Sequence, residues 1–259
     1  MPLASIELVL SGLLLALNGV ISVVYGLKLE KSLALGAARM IVQLTAVALA
    51  LKFIFAQTSP LWTVLFVTVM AAATTLEVVL SQSRRFSGWR ALLMSSSPAF
   101  LSGLVTAGIA MAIIQPTPWH APRILLPILG ILVGNALSGV ALTLDAVTSA
   151  ASRERREIEA RLALGATRYQ AFSDVMRRGL RTGLTPLLNA MAAAGVVSLP
   201  GMMTGQILAG IDPVEAAKYQ IMIMFLIAGA TGMAVVAGGF IAVWLLTDER
   251  HRLRLDRLA

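Results

Sequence analysis

The chain has 259 residues, of which 58% are hydrophobic and only 13% are charged, and its mean hydropathy is +0.83. This leaves too little polar surface to cover a soluble globule, so the composition favours lipid as the solvent. The net charge of +8 does not indicate a nucleic-acid partner, because Lys and Arg lie in short segments between apolar runs.

Seven apolar runs are long enough for a helix of about 20 residues, the length that crosses about 30 Å of hydrocarbon. The sequence therefore predicts an all-α, polytopic membrane protein with one transmembrane domain over residues 1–259. No basic segment precedes the first run, which favours a retained span over a signal peptide. The predicted spans are 5–27, 33–56, 61–81, 91–114, 124–147, 184–209 and 217–246.

The distribution of basic residues predicts the orientation of the chain. Of the 21 Lys and Arg residues, 17 lie in segments on one side of the predicted membrane, and three lie on the other. By the positive-inside rule, the N-terminus is outside and the C-terminus is in the cytoplasm, which for a bacterial chain means a multi-pass inner-membrane protein.

Residues 149–183, between the fifth and sixth spans, are too long and too regular for a simple connector. Ile158, Leu162 and Gly165 fall on one helical stripe, and Glu157 precedes Arg161 by the four residues that favour an ion pair. The pattern predicts a short amphipathic helix, which either docks onto a soluble partner or rests among lipid headgroups.

A sharp corner is predicted after this helix. Gly165 suits a left-handed C-terminal cap, and Thr167 with Gln170 forms the pattern of a capping box that opens the next helix. The segment is therefore expected to form a helix, a corner and a second helix.

This corner resembles the EAA loop of ABC importer permeases, the coupling helix that docks into a groove on the ATPase. The resemblance rests on Glu159, Ala160 and Arg161, followed after three residues by Gly165. Downstream, residues 175–178 depart from the importer pattern. The coupling residues that the resemblance implies are Glu157, Glu159, Ala160, Leu164, Gly165, Ala166 and Thr167.

A wider resemblance covers nearly the whole chain. Residues 197–213, together with 39–44, 134–136 and 164–167, are similar to the FetB-type family of iron-export permeases and to plant aluminium-sensitivity membrane proteins. The resemblance implies metal export, or metal homeostasis, driven by a cytoplasmic ABC ATPase subunit. It implies that this chain is not itself an enzyme and binds no cofactor, since ATP and Mg²⁺ belong to the partner.

The residues agree that any ATPase is a separate chain, because no Walker-type Gly-x-x-x-x-Gly-Lys-Ser/Thr sequence is present. Seven spans are few for enclosing a path, and Gly130, Gly134 and Ser138 form a ridge of small residues on one helix. The ridge suits a homodimer and equally suits close packing within one subunit.

Polar residues within the spans are candidates for lining a translocation path, because each is costly in hydrocarbon. Each also has a simpler interpretation: Arg39 reaches the headgroups, Glu77 pairs with Arg84 or Arg85, and Asn135 bonds a neighbouring helix. The candidates are Arg39, Gln43, Glu77, Asn135, Ser198, Pro200, Gly201, Met202, Met203 and Gln206.

The sixth span is interrupted by Pro200 and Gly201, and broken helices at membrane depth are buried or line a cavity. Met202 and Met203 beside the break offer thioether ligands for a soft metal cation, or serve as flexible core filler. A secondary transporter and a membrane scaffold in metal homeostasis remain the alternatives to an ABC permease.

Overall fold

The computed structural model describes residues 5–57, 59–81, 88–117, 121–248, 250 and 252–258, and it describes side chains within these ranges except in 5–9, 79–81 and 89–95. The chain forms two compact units, Met1–Ser59 and Pro60–Ala259. The single domain predicted over residues 1–259 therefore stays a prediction.

The first unit is a pair of helices, α1 (Ser5–Val24) and α2 (Glu30–Phe55). The turn between them is fixed by Ser22, whose hydroxyl accepts the Leu29 N–H at 2.8 Å and donates to the Glu30 carboxylate at 3.0 Å. The helix α2 is long and apolar enough to cross a membrane, whereas the described apolar part of α1, Leu10–Val24, is shorter.

The second unit begins with α3 (Pro60–Ser81), α4 (Trp89–Ile114) and α5 (Pro122–Arg153), and its longest helix is α10 (Pro213–Leu245). All four contain a stretch that is long and apolar enough to cross a membrane. Proline at the first position suits α5 and α10, since the N–H that it lacks would have no helical partner there. The side chain of Asp212 caps α10 by accepting the Val214 and Glu215 N–H groups.

Apolar side chains fill the interior between α4, α5 and α10. One buried cluster surrounds Leu144 and Val243, and a second surrounds Leu129 and Ile227. Between helices in lipid the hydrophobic effect contributes little, so close packing of this kind is the main attraction.

Shorter helices connect α5 to α10: α6 (Arg155–Ala163), α7 (Arg168–Ala171), α8 (Ser173–Ala193) and α9 (Gly201–Leu208). The predicted sixth span, 184–209, is interrupted as expected, but its bounds differ from the prediction. The helix α8 starts eleven residues earlier, within the corner segment, and the chain leaves helical geometry between Ala193 and Gly201. Among the described residues, five helices rather than seven satisfy the length and hydropathy of a span.

Candidate functional site

The corner between α6 and α7 has the predicted geometry. Gly165 adopts a φ of +89°, a left-handed conformation that strains residues with a Cβ. The Gly165 N–H donates to the Leu162 carbonyl at 3.0 Å, and the Ala166 N–H donates to the Arg161 carbonyl at 3.1 Å, which closes the end of α6. The expected glycine cap is confirmed.

The capping box that opens α7 is also confirmed. The Thr167 hydroxyl accepts the Gln170 N–H, and the Gln170 side-chain oxygen accepts the Thr167 N–H at 2.9 Å. Because each side chain satisfies a backbone donor of the other residue, the direction in which the chain leaves the corner is fixed.

Ion pairs join α6 to the start of α8. The Arg161 guanidinium donates to Glu157 at 2.7 Å, as the spacing predicts, and to Asp174 at 2.9 Å. The hydrogen bond from Arg161 lowers the pKa of Asp174. Arg178 of α8 pairs with Glu154, the residue between α5 and α6, which adds a second link.

The base of the corner is buried while its apex is exposed. Ile158 is 2% exposed and Phe172 is 0% exposed, and both belong to the buried cluster around Leu144. Leu164, by contrast, is 89% exposed although it is a large apolar residue. The structure therefore presents an apolar side chain on a rigid, anchored support.

All seven predicted coupling residues lie on this one feature. Glu159 pairs with Arg155 at 2.8 Å and Ala160 is exposed on α6, while Ala166 packs partly against the buried cluster. The predicted site is thus a contiguous surface, which we call the coupling corner. It comprises Glu157, Glu159, Ala160, Leu164, Gly165, Ala166 and Thr167.

Two glycines of α8 set how closely it packs on α5. A Cβ added at Gly183 would lie 2.0 Å from the Thr143 hydroxyl and 2.6 Å from the Gly139 carbonyl oxygen. One added at Gly179 would lie 2.5 Å from Val147. Since the α8 number falls as the α5 number rises, the two helices run antiparallel with their backbones in close contact.

The helix α10 fills one side of this contact. Leu180 of α8 lies against Gly239, and Val140 of α5 lies against Gly238. The exposed sides of α5 and α8 therefore lie on the side of this contact that faces away from α10. Together they form one surface, which we call the polar face. Its members are Asn135 and Ser138 on α5 and Arg178, Thr182, Thr185 and Asn189 on α8, all of them exposed.

The hydroxyl groups of the polar face and the Asn135 amide donate to backbone carbonyls one turn earlier on their own helices. Asn135 donates to Ile131 at 2.8 Å, and Thr185 donates to Arg181 at 2.8 Å. Pro186 lacks an N–H, so the carbonyl one turn before it also has no helical partner. Polar side chains and a free carbonyl are both costly to expose to hydrocarbon, so this face needs water or a polar partner.

The break after α8 lies well inside the span of the neighbouring α10. Gly139 contacts both Gly183 and Val235, which places these three residues at a common level. From that level α8 rises about 15 Å to Ala193, whereas α10 extends about 33 Å back to Pro213. The remaining distance of about 18 Å is covered by the break and α9.

The break contains the predicted path residues Ser198, Pro200 and Gly201. The chain turns at Gly195, which has a φ of +86°, and the Gly195 N–H donates to the Ser198 carbonyl at 2.9 Å. Pro200 then caps α9 without a side-chain hydrogen bond. The predicted interruption of the helix is confirmed and starts earlier than Pro200.

The α9 residues have mixed environments. Met202 packs against the buried cluster around Leu129, which suits the core-filler interpretation. Met203 is half-buried, and the Gln206 side-chain oxygen is buried without a hydrogen-bond partner in the described part of the chain. No cluster of three His, Asp or Glu side chains occurs within the described ranges.

The remaining predicted path residues lie on other helices. Arg39 and Gln43 are exposed on α2, in the first unit. Glu77 is half-buried on α3, and its predicted partners Arg84 and Arg85 lie outside the described residues.

Sequence reasoning missed the α8 half of the polar face. The Gly179-x-x-x-Gly183 spacing is a signal for close helix contact and would have placed α8 against another helix. The polar residues Thr182, Thr185 and Asn189 then fall on the flank of that contact.

Comparison with known proteins agrees with this architecture. Residues 5–246 match the Uncharacterised protein family UPF0014. The UPF0014 membrane protein slr1647 of Synechocystis is 37% identical over 219 residues, which cover 82% of each chain. No solved structure matches the chain.

Two further relatives carry more informative names. The Probable iron export permease protein FetB of Escherichia coli is 33% identical, over 90% of this chain and 88% of its own. The Protein ALUMINUM SENSITIVE 3 of Arabidopsis thaliana is 29% identical, over 93% of this chain and 84% of its own. The chain is a multi-pass membrane protein and belongs to the UPF0014 family.

Proposed function

We propose that this chain is the permease subunit of an ABC transporter that exports iron or a related metal cation. The observation that carries the proposal is the coupling corner, whose base is buried at Ile158 and Phe172 while Leu164 at its apex is 89% exposed. A rigid support with an exposed apolar residue is what a partner protein needs in order to transmit force to the membrane helices.

The partner is a cytoplasmic ATPase subunit that binds ATP and Mg²⁺. The excess of Lys and Arg on the corner side supports a cytoplasmic corner and C-terminus, with the N-terminus outside, in a bacterial inner membrane. Two ion pairs, Arg161–Asp174 and Arg178–Glu154, connect the corner to α8. A displacement of Leu164 by the partner therefore displaces α8 as well.

The polar face of α5 and α8 is the wall of the translocation path. The interior of the second unit is filled by apolar side chains, so a polar path has to follow its surface. A surface groove in lipid needs a second wall, and amide and hydroxyl groups both donate and accept hydrogen bonds. A second copy of the chain supplies such a wall, which makes the working unit a homodimer.

The cargo is inferred from the relative that is named as an iron export permease. Met203 and Met202 beside the break supply thioethers, and the core packing of Met202 leaves Met203 as the better placed of the two. A weak and transient cation path fits these groups better than a resident metal site.

The test compares Leu164→Glu with the apolar control Leu164→Met in nanodiscs. Each is co-expressed in turn with the stand-alone ABC ATPase subunits of the same genome, and binding and Fe(II)-dependent ATP hydrolysis are measured. Because Leu164 is exposed, neither substitution disturbs the fold. We expect Leu164→Glu to lose both signals and Leu164→Met to keep them.

Two outcomes contradict the proposal. If no ATPase subunit binds the wild-type chain, the coupling interpretation is wrong and the secondary transporter or scaffold becomes the better explanation. If an ATPase binds both variants equally well, the partner docks elsewhere.

A further inference from the structure

The described residues after α10, 246–248, 250 and 252–258, fold back into a hairpin, which we call the tail. Thr247 pairs with Leu253 in an antiparallel bridge, and the Arg254 N–H donates to the Leu246 carbonyl at 2.8 Å. A short 3-10 helix, Leu255–Arg257, follows. The tail is therefore an ordered element.

Asp248 organises the turn of this hairpin. Its carboxylate accepts the Arg250 N–H at 3.0 Å, the Arg252 N–H at 2.8 Å and the Arg252 Nε–H at 3.0 Å. These hydrogen bonds, chiefly the one from the Arg252 backbone, lower the pKa of Asp248. The Asp248 carboxylate is consequently engaged in hydrogen bonds within the turn.

The tail is fastened to α10. Arg257 donates to the Leu245 carbonyl at 2.8 Å and to the Thr247 carbonyl at 3.2 Å. A cationic side chain at the C-terminal end of a helix is stabilised both by the free carbonyls and by the helix dipole.

The tail also contacts the coupling corner. Arg168, the residue after the Thr167 cap, donates to the Asp248 carbonyl at 3.2 Å. Leu253, Leu255 and Leu258 pack against the same buried cluster as Ile158 of α6. The corner and the end of α10 therefore form one supported surface.

A cleft of about 420 Å³ lies between α6 and the tail. Leu162 and Ala163 of α6, together with Leu253 of the tail, give it an apolar floor. Arg250 and Arg252 form its rim, and the Arg250 guanidinium has no partner among the described residues. On the opposite wall, Glu159 is already paired with Arg155.

We propose that the tail is the second half of the ATPase-docking surface and that the α6–tail cleft receives an acidic segment of the ATPase. The proposal rests on the proposed function above. Because the Asp248 carboxylate is already bonded within the turn, the unpaired Arg250 guanidinium is available to a carboxylate of the partner. An apolar side chain of that segment packs against the apolar floor of the cleft. A lipid phosphate group has no such side chain.

The test is the charge reversal Arg250→Glu, because only the backbone of Arg250 takes part in the turn. Lys218→Glu, an exposed reversal on α10, is the matched control. Affinity for the ATPase subunit that binds the wild-type chain is measured in nanodiscs of phosphatidylcholine, with and without phosphatidylglycerol. We expect Arg250→Glu to weaken binding by about 5- to 30-fold in both lipids, and the control to leave it unchanged.

A second readout is hydrogen exchange, in which the ATPase should protect the amides of the tail as well as those of α6. The proposal is overturned if Arg250→Glu binds like the wild type while Leu164→Glu does not, a result that leaves the proposed function intact. An effect seen only with phosphatidylglycerol also overturns it, because lipid headgroups then occupy the cleft. If no ATPase binds the wild-type chain, the proposed function itself fails.

Discussion

Substituting alanine for Gly183 tests the close crossing of α5 and α8 on which the polar face depends. The added Cβ would lie 2.0 Å from the Thr143 hydroxyl and 2.6 Å from the Gly139 carbonyl oxygen. The hydroxyl can rotate away, but the carbonyl belongs to the backbone. The helices must therefore separate by about 0.8 Å to restore an ordinary contact of 3.4 Å at Gly139.

The cost follows from this separation. Overpacking of a well-packed interface costs about 1–3 kcal/mol. At an open helical position, replacing glycine with alanine instead gains about 0.8–1 kcal/mol from helix propensity. Gly229 of α10 is such a position, since a Cβ there would meet nothing within 4 Å. Because Gly183 is also helical, the propensity gain is common to both variants, and we expect them to differ by the overpacking cost of roughly 1–3 kcal/mol, with Gly183→Ala the less stable.

The assay is thermal unfolding in detergent, in which the variants differ in Tm by several degrees, at roughly 2–4 °C per kcal/mol. Adding Thr143→Ala to Gly183→Ala should recover part of the loss, because the hydroxyl is removed while the Gly139 carbonyl stays. Equal stability of Gly183→Ala and Gly229→Ala would refute the close crossing. So would full recovery in the double variant.

Three further predictions concern the corner, the polar face and the tail. Gly165→Val places a β-branched residue at a φ of +89° and should cost about 1–2 kcal/mol locally, seen as faster hydrogen exchange of α6 amides. The chain has no cysteine, so Ser138→Cys on the polar face should react with a membrane-impermeant thiol reagent much faster than Val236→Cys, which is exposed on α10; equal rates argue against a water-filled path. The hydrogen bond and ion pair with Arg254 lower the pKa of Asp256 to about 2, so this pair should stabilise the tail from neutral pH to about 4 and lose that effect between pH 4 and 2. The mobility of a spin label on Arg250→Cys measures this, and a tail that becomes mobile above pH 5 contradicts it.

The corner was predictable because its signals are local. A glycine after an amphipathic run and a Thr-x-x-Gln box each specify backbone geometry within a few residues, and both Gly165 and Thr167 adopt it. Membrane burial and tertiary packing do not compete with these signals, since the apex is exposed. Local sequence signals do not identify the partner that contacts Leu164, so that partner stays a proposal.

The bounds of the sixth span and the start of its break differ from the prediction for a complementary reason. Apolar composition locates residues that tolerate lipid, but it does not show where a helix starts or whether it is continuous. The helix α8 begins in the polar corner at Ser173 and ends at Ala193, where the Gly195 turn stops it. Its polar residues look scattered until the contacts of Gly179 and Gly183 define which side meets α5. The polar face thus depends on how α8 is oriented against α5, which cannot be predicted from either segment alone.

The position of α8 suggests how the two halves of the site communicate. Its 21 residues span about 31 Å, and its first turn is tied to α6 by the Arg161–Asp174 ion pair while its last turn precedes the break. Between these ends it meets α5 through two glycines, against which the Val147 and Thr143 side chains of α5 are seated. Under the proposed function, a displacement of the coupling corner is carried along α8 to the break, and the proposed ATPase would move the helix that bears the polar face.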